Sequence, residues 1–322
     1  MKKNIIVILG EPNSIASEIF LKSQNLLKKS NLNFTIIGNL NLLKEQANNL
    51  DLKININFYV SKINNLKNKK FNFININYKQ AKPFDLKSNK TDVFIKGCFE
   101  CAVLMLKKKL ASGLINLPIN KSKFTKNKYN GITEYIADKT NNKNRENMLL
   151  FNENFSVLPL TTHIPLKKVY KEITYKKIEK ACKNISDFYC RTIKRRKFKI
   201  GILGLNPHNG ENGYIGTEEK KIIIPAIKKL KKKYPVIGPL SPDTSFLQRS
   251  KLNIDVLIGH YHDQILTTFK TKFDLDAINI TIGLPFIRIS PDHGVGAEII
   301  GKGIANPESF KKAIKFFSKY NV

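Results

Sequence analysis

Short runs of β-branched and other apolar residues alternate along this chain with longer segments whose apolar positions recur every three or four residues between lysines. "NIIVILG" (4–10) is followed by "SEIFLKSQNLLKKS" (17–30), and that by "NFTIIG" (33–38). The first and third have the continuous hydrophobicity of strands covered on both faces; the second has the spacing of an amphipathic helix. The alternation predicts a helix over 92–110, a strand over 112–118, a helix over 175–193 and a strand over 197–205. A helix over 218–234, strands over 254–260 and 277–285, and a closing helix over 307–320 follow. Strands separated by helices in this way predict βα units and a mostly parallel sheet, the α/β class. The segment 120–150 breaks the pattern. It is polar, rich in lysine and asparagine and poor in strand signals, and reads as a crossing between domains or a mobile arm beside a site.

Composition narrows this picture. With 322 residues, 42% of them hydrophobic, the chain can bury a substantial core, as two domains or as one large α/β unit. No apolar run approaches the roughly 18 residues that span a bilayer, and the apolar stretch near the start is too short for a secretory signal. The four cysteines, Cys98, Cys101, Cys182 and Cys190, are too few for a disulfide framework in so long a chain. Cys98 and Cys101 form a CxxC inside a helical pattern with no second pair, and read as packing residues. A reduced, cytoplasmic protein is the expectation. The net charge of +31 invites a nucleic-acid reading. Only six of the basic residues are arginine, however, and the lysines run from end to end among asparagines and isoleucines. That is a bias of the whole chain rather than a patch, and specific nucleic-acid binding is not expected.

Candidate chemistry collects where strands end. "SVLPL" leads to "TTHIPL" with His163, "IGILGL" to "NPHNGENGYIGTEE" with His208, and "IDVLIG" to "HYHDQ" with His260 and His262. Histidines at three strand ends are what a site at the carboxyl edge of a parallel sheet requires. A divalent metal held by neutral imidazoles from separate loops would keep a position open for a substrate oxygen. Asp243 in "SPDTSF" and Asp263 in "HYHDQ" could orient those imidazoles, act on protons, or simply cap turns. Lys270 and Arg288 are cations near the same edge, suited to a phosphate or carboxylate. The glycine-rich loop 204–216 permits close approach of a ligand, and Thr217, Glu218 and Glu219 after it read as a helix start. No G-x-G-x-x-G follows the first strand, so the Rossmann fingerprint is absent.

"TTHIPL", "GLNPHNGENGYIGTEE", "SPDTSF", "HYHDQILTTFK", "INITIGLPFIRISPDHG" and "GKGIA", preceded by "LPINKS" (117–122) and "GITEY" (131–135), occur in order over nearly the whole chain. In this they resemble the 4-hydroxythreonine-4-phosphate dehydrogenases of pyridoxal phosphate biosynthesis. The resemblance implies a two-domain fold like that of isocitrate and isopropylmalate dehydrogenases, with a cleft between domains and NAD or NADP bound without the Rossmann fingerprint. It implies a cofactor-side domain of residues 1–122 plus 284–322, and a metal, substrate and dimerisation domain of 123–283. It gives His163, His208 and His262 as ligands of one divalent ion (Zn, Mg, Co or Mn), contributed across a homodimer interface. Thr133, Lys270, Asn279 and Arg288 match its substrate-binding residues, and His293 and Gly294 fall in its cofactor loop. With Asp243, Asp263 and Lys270 as candidate catalytic residues, the implied reaction is oxidation of a phosphorylated hydroxy amino acid at C3. The β-keto acid formed loses carbon dioxide to give 3-amino-2-oxopropyl phosphate. Of the two histidines in "HYHDQ", only His262 is expected to face the cleft, and His260 to be a packing or loop residue.

The chain departs from the family's pattern in places. The family's "GHTE" reads "GITE", placing Ile132 where a substrate-binding histidine stands; "GDPAGIGPE" reads "GEPNSIASE" at 10–18, and "DHGTA" reads "DHGVG". The histidine triad is untouched, so the reaction type is expected more firmly than the substrate. A threonate or erythronate phosphate, or a non-catalytic relative, are the alternatives.

Overall fold

A computed structural model describes residues 3–86, 91–120, 129, 131–273, 276–291 and 294–320. The chain divides into two compact units, Met1–Asn144 with Leu284–Val322, and Arg145–Gly283.

The first unit carries β1 (Asn4–Ile8), β2 (Asn33–Gly38), β3 (Tyr59–Val60), β4 (Phe71–Asn75), β5 (Gly113–Asn116) and the returning strand β12 (Ile287–Pro291). Their order is β3-β4-β2-β1-β5-β12, and every pairing in it is parallel. All six residues of β2, and four of the five in β1, are buried, as their unbroken hydrophobicity requires. The helix expected over 17–30 is two helices, Ala16–Lys22 and Gln24–Lys29. The Ser23 hydroxyl donates to the Ile19 carbonyl at 2.8 Å, the back-bond with which serine interrupts a helix. Ile6, Ile8, Phe94, Cys98, Phe99, Ile132, Tyr135, Ile136 and Phe286 share one core cluster. Burial pushes the Cys101 thiol up to about 12 and raises Cys98 as well, which keeps both protonated and inert, as packing residues should be.

That cluster explains where the first break in the chain falls. Residues 120–150 are not structureless: a helix spans Ile132–Lys139 and a strand begins at Asn147. Tyr135 on the helix meets Phe99 edge-on with ring centroids 6.1 Å apart. The helix therefore belongs to the first unit's core, and the units part at Asn144/Arg145, beyond the 122/123 expected. The return is at Leu284. Of the segment 120–150, read as a crossing between domains or a mobile arm, residues 121–128 and 130 lie outside the described residues.

The second unit carries β6 (Asn147–Asn152), β7 (Phe155–Pro159), β8 (Ile200–Leu203), β9 (Val236–Leu240), β10 (Val256–Gly259) and β11 (Ile278–Ile282) in the order β11-β6-β7-β10-β8-β9. β10 lies between β7 and β8 and is parallel to both, and β9 is parallel to β8; β6 runs antiparallel to β7 and β11. Phe155, Val157, Leu203, Leu257, Ile265, Leu266 and Phe269 form its core. Ile265, Leu266 and Phe269 are the buried face of helix His262–Phe273, and their burial seats that helix just beyond the end of β10.

Candidate active site

His163, His208 and His262 each follow the carboxyl end of one of three neighbouring parallel strands, β7, β8 and β10. His163 and His208 are exposed and His262 is half-buried. The rings of His163 and His262 have centroids 6.1 Å apart and planes inclined by 41°. Two imidazoles sharing an ion at about 2.1 Å per nitrogen have centroids roughly 5–6 Å apart, a spacing this pair approaches without reaching. His262 Nδ1 lies 2.7 Å from Asp263 Oδ1, which orients the ring and would leave Nε2 as the nitrogen to face a metal. Among the described residues no three His, Cys, Asp or Glu side chains are grouped closely enough to hold a metal. The single chain thus brings two of the three histidines together and leaves His208 apart from them.

His208 starts an unusual stretch. From His208 to Asn212 every residue has positive φ, between 40° and 76°, a conformation that costs each non-glycine residue of order 1 kcal/mol or more. The loop is held by Glu219, whose carboxylate is 1% exposed. Its Oε1 accepts from the Leu205 and Asn206 N–H groups, both at 2.7 Å, and Oε2 from Asn206 Nδ2 at 2.9 Å. Burial pushes this carboxyl up, but those donors outweigh it and the net shift is downward. Gly210, at φ 76°, is obligatory here: a Cβ would lie 2.7 Å from Glu219 Oε2 and from the Gly216 carbonyl. Glu219 thus does more than the expected helix start. It folds back on the loop that presents His208, a tertiary role with no local signature.

His260 and His262 diverge because β10 stops at Gly259 and a helix starts at His262. Had the strand continued, residues two apart would have shared a face. Instead His260 is fully buried, its Nε2 lies 2.7 Å from the Leu203 carbonyl, and burial pushes its pKa down to about 4. It is neutral at physiological pH.

The other candidates of this unit are spread around the histidines. Exposed Asp243 lies near the start of helix Pro242–Gln248. Its carboxyl is lowered first by the hydrogen bond from Ser241 and, in a smaller part, by the charge of nearby His208. Lys270 is exposed on helix His262–Phe273, about 12 Å along the axis from His262 by helical rise. Asn279 on β11 has its Oδ1 buried with no hydrogen-bond partner, an orphaned acceptor facing no donor of the chain itself.

In the first unit Arg288, on β12, is 4% exposed. Its Nε donates to Asn116 Oδ1 at 2.7 Å and its Nη1 to Thr133 Oγ1 at 3.0 Å. Burial lowers its pKa to about 10, opposed by Glu134, and the guanidinium stays charged. Asn116, at the end of β5, was not foreseen as a partner. Ile132, one residue before Thr133, points into the core and is 3% exposed.

The loop "GKGIA" is fastened to the first long helical segment. Glu18, 1% exposed, accepts from the Ala305 N–H at 2.6 Å, and Lys22 donates to the Gly303 and Ala305 carbonyls at 2.7 and 3.0 Å. A Cβ on Gly294 or Gly303 would meet nothing within 4 Å, so the backbone there is open to a large ligand such as a dinucleotide. His293 lies outside the described residues.

Two mostly parallel α/β units, with three histidines beyond the carboxyl ends of adjacent strands and no Rossmann fingerprint, share a fold with the isocitrate dehydrogenases. Isocitrate dehydrogenase from Methylococcus capsulatus shares the fold, with a TM-score of 0.50 over 98% of this chain and 85% of that one at 12% identity. No helix among the described residues is long and apolar enough to cross a membrane. A nearer likeness is the crystal structure of 4-hydroxythreonine-4-phosphate dehydrogenase from Klebsiella pneumoniae, with a TM-score of 0.81, 27% identity, and coverage of 99% of this chain and 98% of that chain. A protein of Sulfurihydrogenibium sp. (strain YO3AOP1), named 4-hydroxythreonine-4-phosphate dehydrogenase, is 38% identical over 314 residues, 97% of this chain and 96% of its own length. The family described as pyridoxal phosphate biosynthetic protein PdxA matches residues 30–317. The chain belongs to that family.

Proposed function

We propose that this protein is a 4-hydroxythreonine-4-phosphate dehydrogenase, acting in the cytoplasm as a homodimer with one divalent ion per site. The observation that carries the reading is the placement of His163, His208 and His262 beyond the ends of three adjacent parallel strands, with the first and last already 6.1 Å apart. The third ligand is assigned to a partner subunit's copy of the same loops, which is consistent with His208 standing apart in one chain. When bound, the ion would acidify the C3 hydroxyl and NAD or NADP would take up the hydride from C3, which makes the oxidation feasible near neutral pH.

The chain's own residues take the remaining roles. Asp263 holds the His262 ring, and Asp243 or Asp263 receives the hydroxyl proton. Arg288, with Thr133, and Lys270 are assigned to the substrate's anionic groups, and the orphaned Asn279 amide to its amino or hydroxyl group. Carbon dioxide then leaves, its bonding electrons pass into the new ketone, and Lys270 is the assigned donor that returns a proton to carbon. His293 and Gly294 are assigned to the dinucleotide.

Burial of Ile132 favours a second reading, in which a related phosphorylated hydroxy acid, a threonate or erythronate phosphate, is the substrate. An apolar side chain turned into the core offers no hydrogen bond to replace the family's histidine. Incubating the purified protein with each compound and NAD or NADP, with and without chelator, and following reduced cofactor by absorbance decides between them. Chelator-sensitive turnover fastest with 4-phosphohydroxythreonine is expected. Turnover confined to the hydroxy acids establishes the second reading, and none with any compound establishes a non-catalytic relative.

A further inference from the structure

We propose that His260 is a positioning residue that fastens together the three strand ends from which His163, His208 and His262 depart. The inference rests on the metal reading above and adds a residue which that reading leaves without a task. Fully buried at the end of β10, His260 reaches both neighbouring strands. Toward β7, its carbonyl accepts from the Thr161 hydroxyl at 2.7 Å and from the Thr161 N–H at 3.2 Å, two residues before His163. Toward β8, its ring Nε2 lies 2.7 Å from the Leu203 carbonyl, the last residue before the loop of His208. A carbonyl only accepts, so Nε2 carries the proton and the tautomer is fixed.

Gln264 completes the clamp. Its Oε1 accepts from the His260 N–H at 2.7 Å while its Nε2 donates to the Gly204 carbonyl at 2.8 Å, so consecutive carbonyls of the β8 end are held from the β10 side. Gln264 also lies in the first turn of the helix that begins with His262. A phenylalanine or leucine would fill the same space more cheaply, since His260 Nδ1 is buried without a partner. A buried imidazole retained at that cost acts through the one bond an apolar side chain cannot make, to Leu203.

The test compares two variants that differ in which ring nitrogen they imitate. In His260→Gln the amide nitrogen can occupy the place of Nε2 and keep the bond to Leu203; in His260→Asn it sits where Nδ1 was and cannot. Cobalt(II) titration of the metal-free proteins, read by visible absorption, measures ligation. Amide hydrogen exchange of 160–164 and 204–210 in the same metal-free proteins measures the clamp. His260→Asn is expected to bind cobalt about 10- to 100-fold more weakly and to exchange faster in both segments, and His260→Gln to stay within about threefold of the parent. The proposal is overturned if His260→Asn matches the parent in either measurement, or if His260→Gln is as weak as His260→Asn. A parent protein that takes up no cobalt sinks the metal reading itself, and the positioning role with it, whatever the exchange rates are.

Discussion

In the second unit, the histidines assigned to the metal are open and their supports are buried. His163 and His208 are exposed and His262 is half-buried, while Glu219 and His260, which hold the loops and strand ends beneath them, are 1% and 0% exposed. In the first unit the residue assigned to a ligand is itself buried: Arg288 is enclosed, and Asn116 and Thr133 bond it directly. An imidazole that must accept a metal needs only its direction fixed, so the protein spends its buried polar groups on loop geometry. A guanidinium kept charged in the interior needs partners on its own atoms, because an unpaired buried charge is far more costly than an exposed one. Function and stability are therefore separable at the histidine edge and coupled at the arginine.

The largest test of that contrast is His262→Ala. Loss of a ligand removes several kcal/mol of transition-state stabilisation, so turnover is expected to fall by roughly 10³-fold. Metal content should fall with it, while the thermal unfolding midpoint of the metal-free protein moves by no more than about 2 °C. A large drop in that midpoint breaks the contrast. Arg288→Lys should do the opposite. One ammonium cannot reproduce a guanidinium spread between Asn116 and Thr133, so both binding and stability suffer. The KM for the phosphorylated substrate is expected to rise about 10- to 100-fold, with a stability loss of about 1–3 kcal/mol by denaturant unfolding. An unchanged KM would leave Arg288 a structural residue.

The smallest effect concerns Glu219 and is read through pH. Its carboxyl is lowered in the folded protein, so the unfolded chain binds its proton more readily. The stability it contributes is complete above the ordinary carboxylate value of 4.5 and is lost as the pH falls through the lower folded value. Glu219→Gln should flatten this part of the acid unfolding curve. At neutral pH it should cost about 1 kcal/mol, because an amide oxygen still accepts one of the N–H groups. An acid limb identical in both proteins would show that the His208 loop is held by something else.

The strands whose hydrophobic runs are unbroken, such as β1, β2, β8 and β10, stand where periodicity placed them, give or take two or three residues at their ends. The helix over 132–139 was hidden because it is only eight residues long, follows a lysine- and asparagine-rich stretch, and has only four buried residues. Its place in the first unit depends on Phe99, more than thirty positions earlier, which no local pattern reports. The departure at Ile132 was legible as a lost histidine, but its burial was not.

For the candidate site, the chain's letters alone determined the inventory: five histidines, of which four follow strand ends, with acids and cations close by in sequence. They also placed those four histidines after strands that end at one edge of a mostly parallel sheet, because βα connections force such strands to end on the same side. Tertiary structure decided which histidine does what. His260 and His262 are two residues apart, yet one is sealed under Leu203 and the other is half-open beside Asp263, because a strand ends and a helix begins between them. The positions of Glu219 under the His208 loop and of Asn116 beside Arg288 were decided in the same way. Each depends on a hydrogen bond between residues 13 to 172 positions apart, and such bonds exist only once the sheet has brought those segments together.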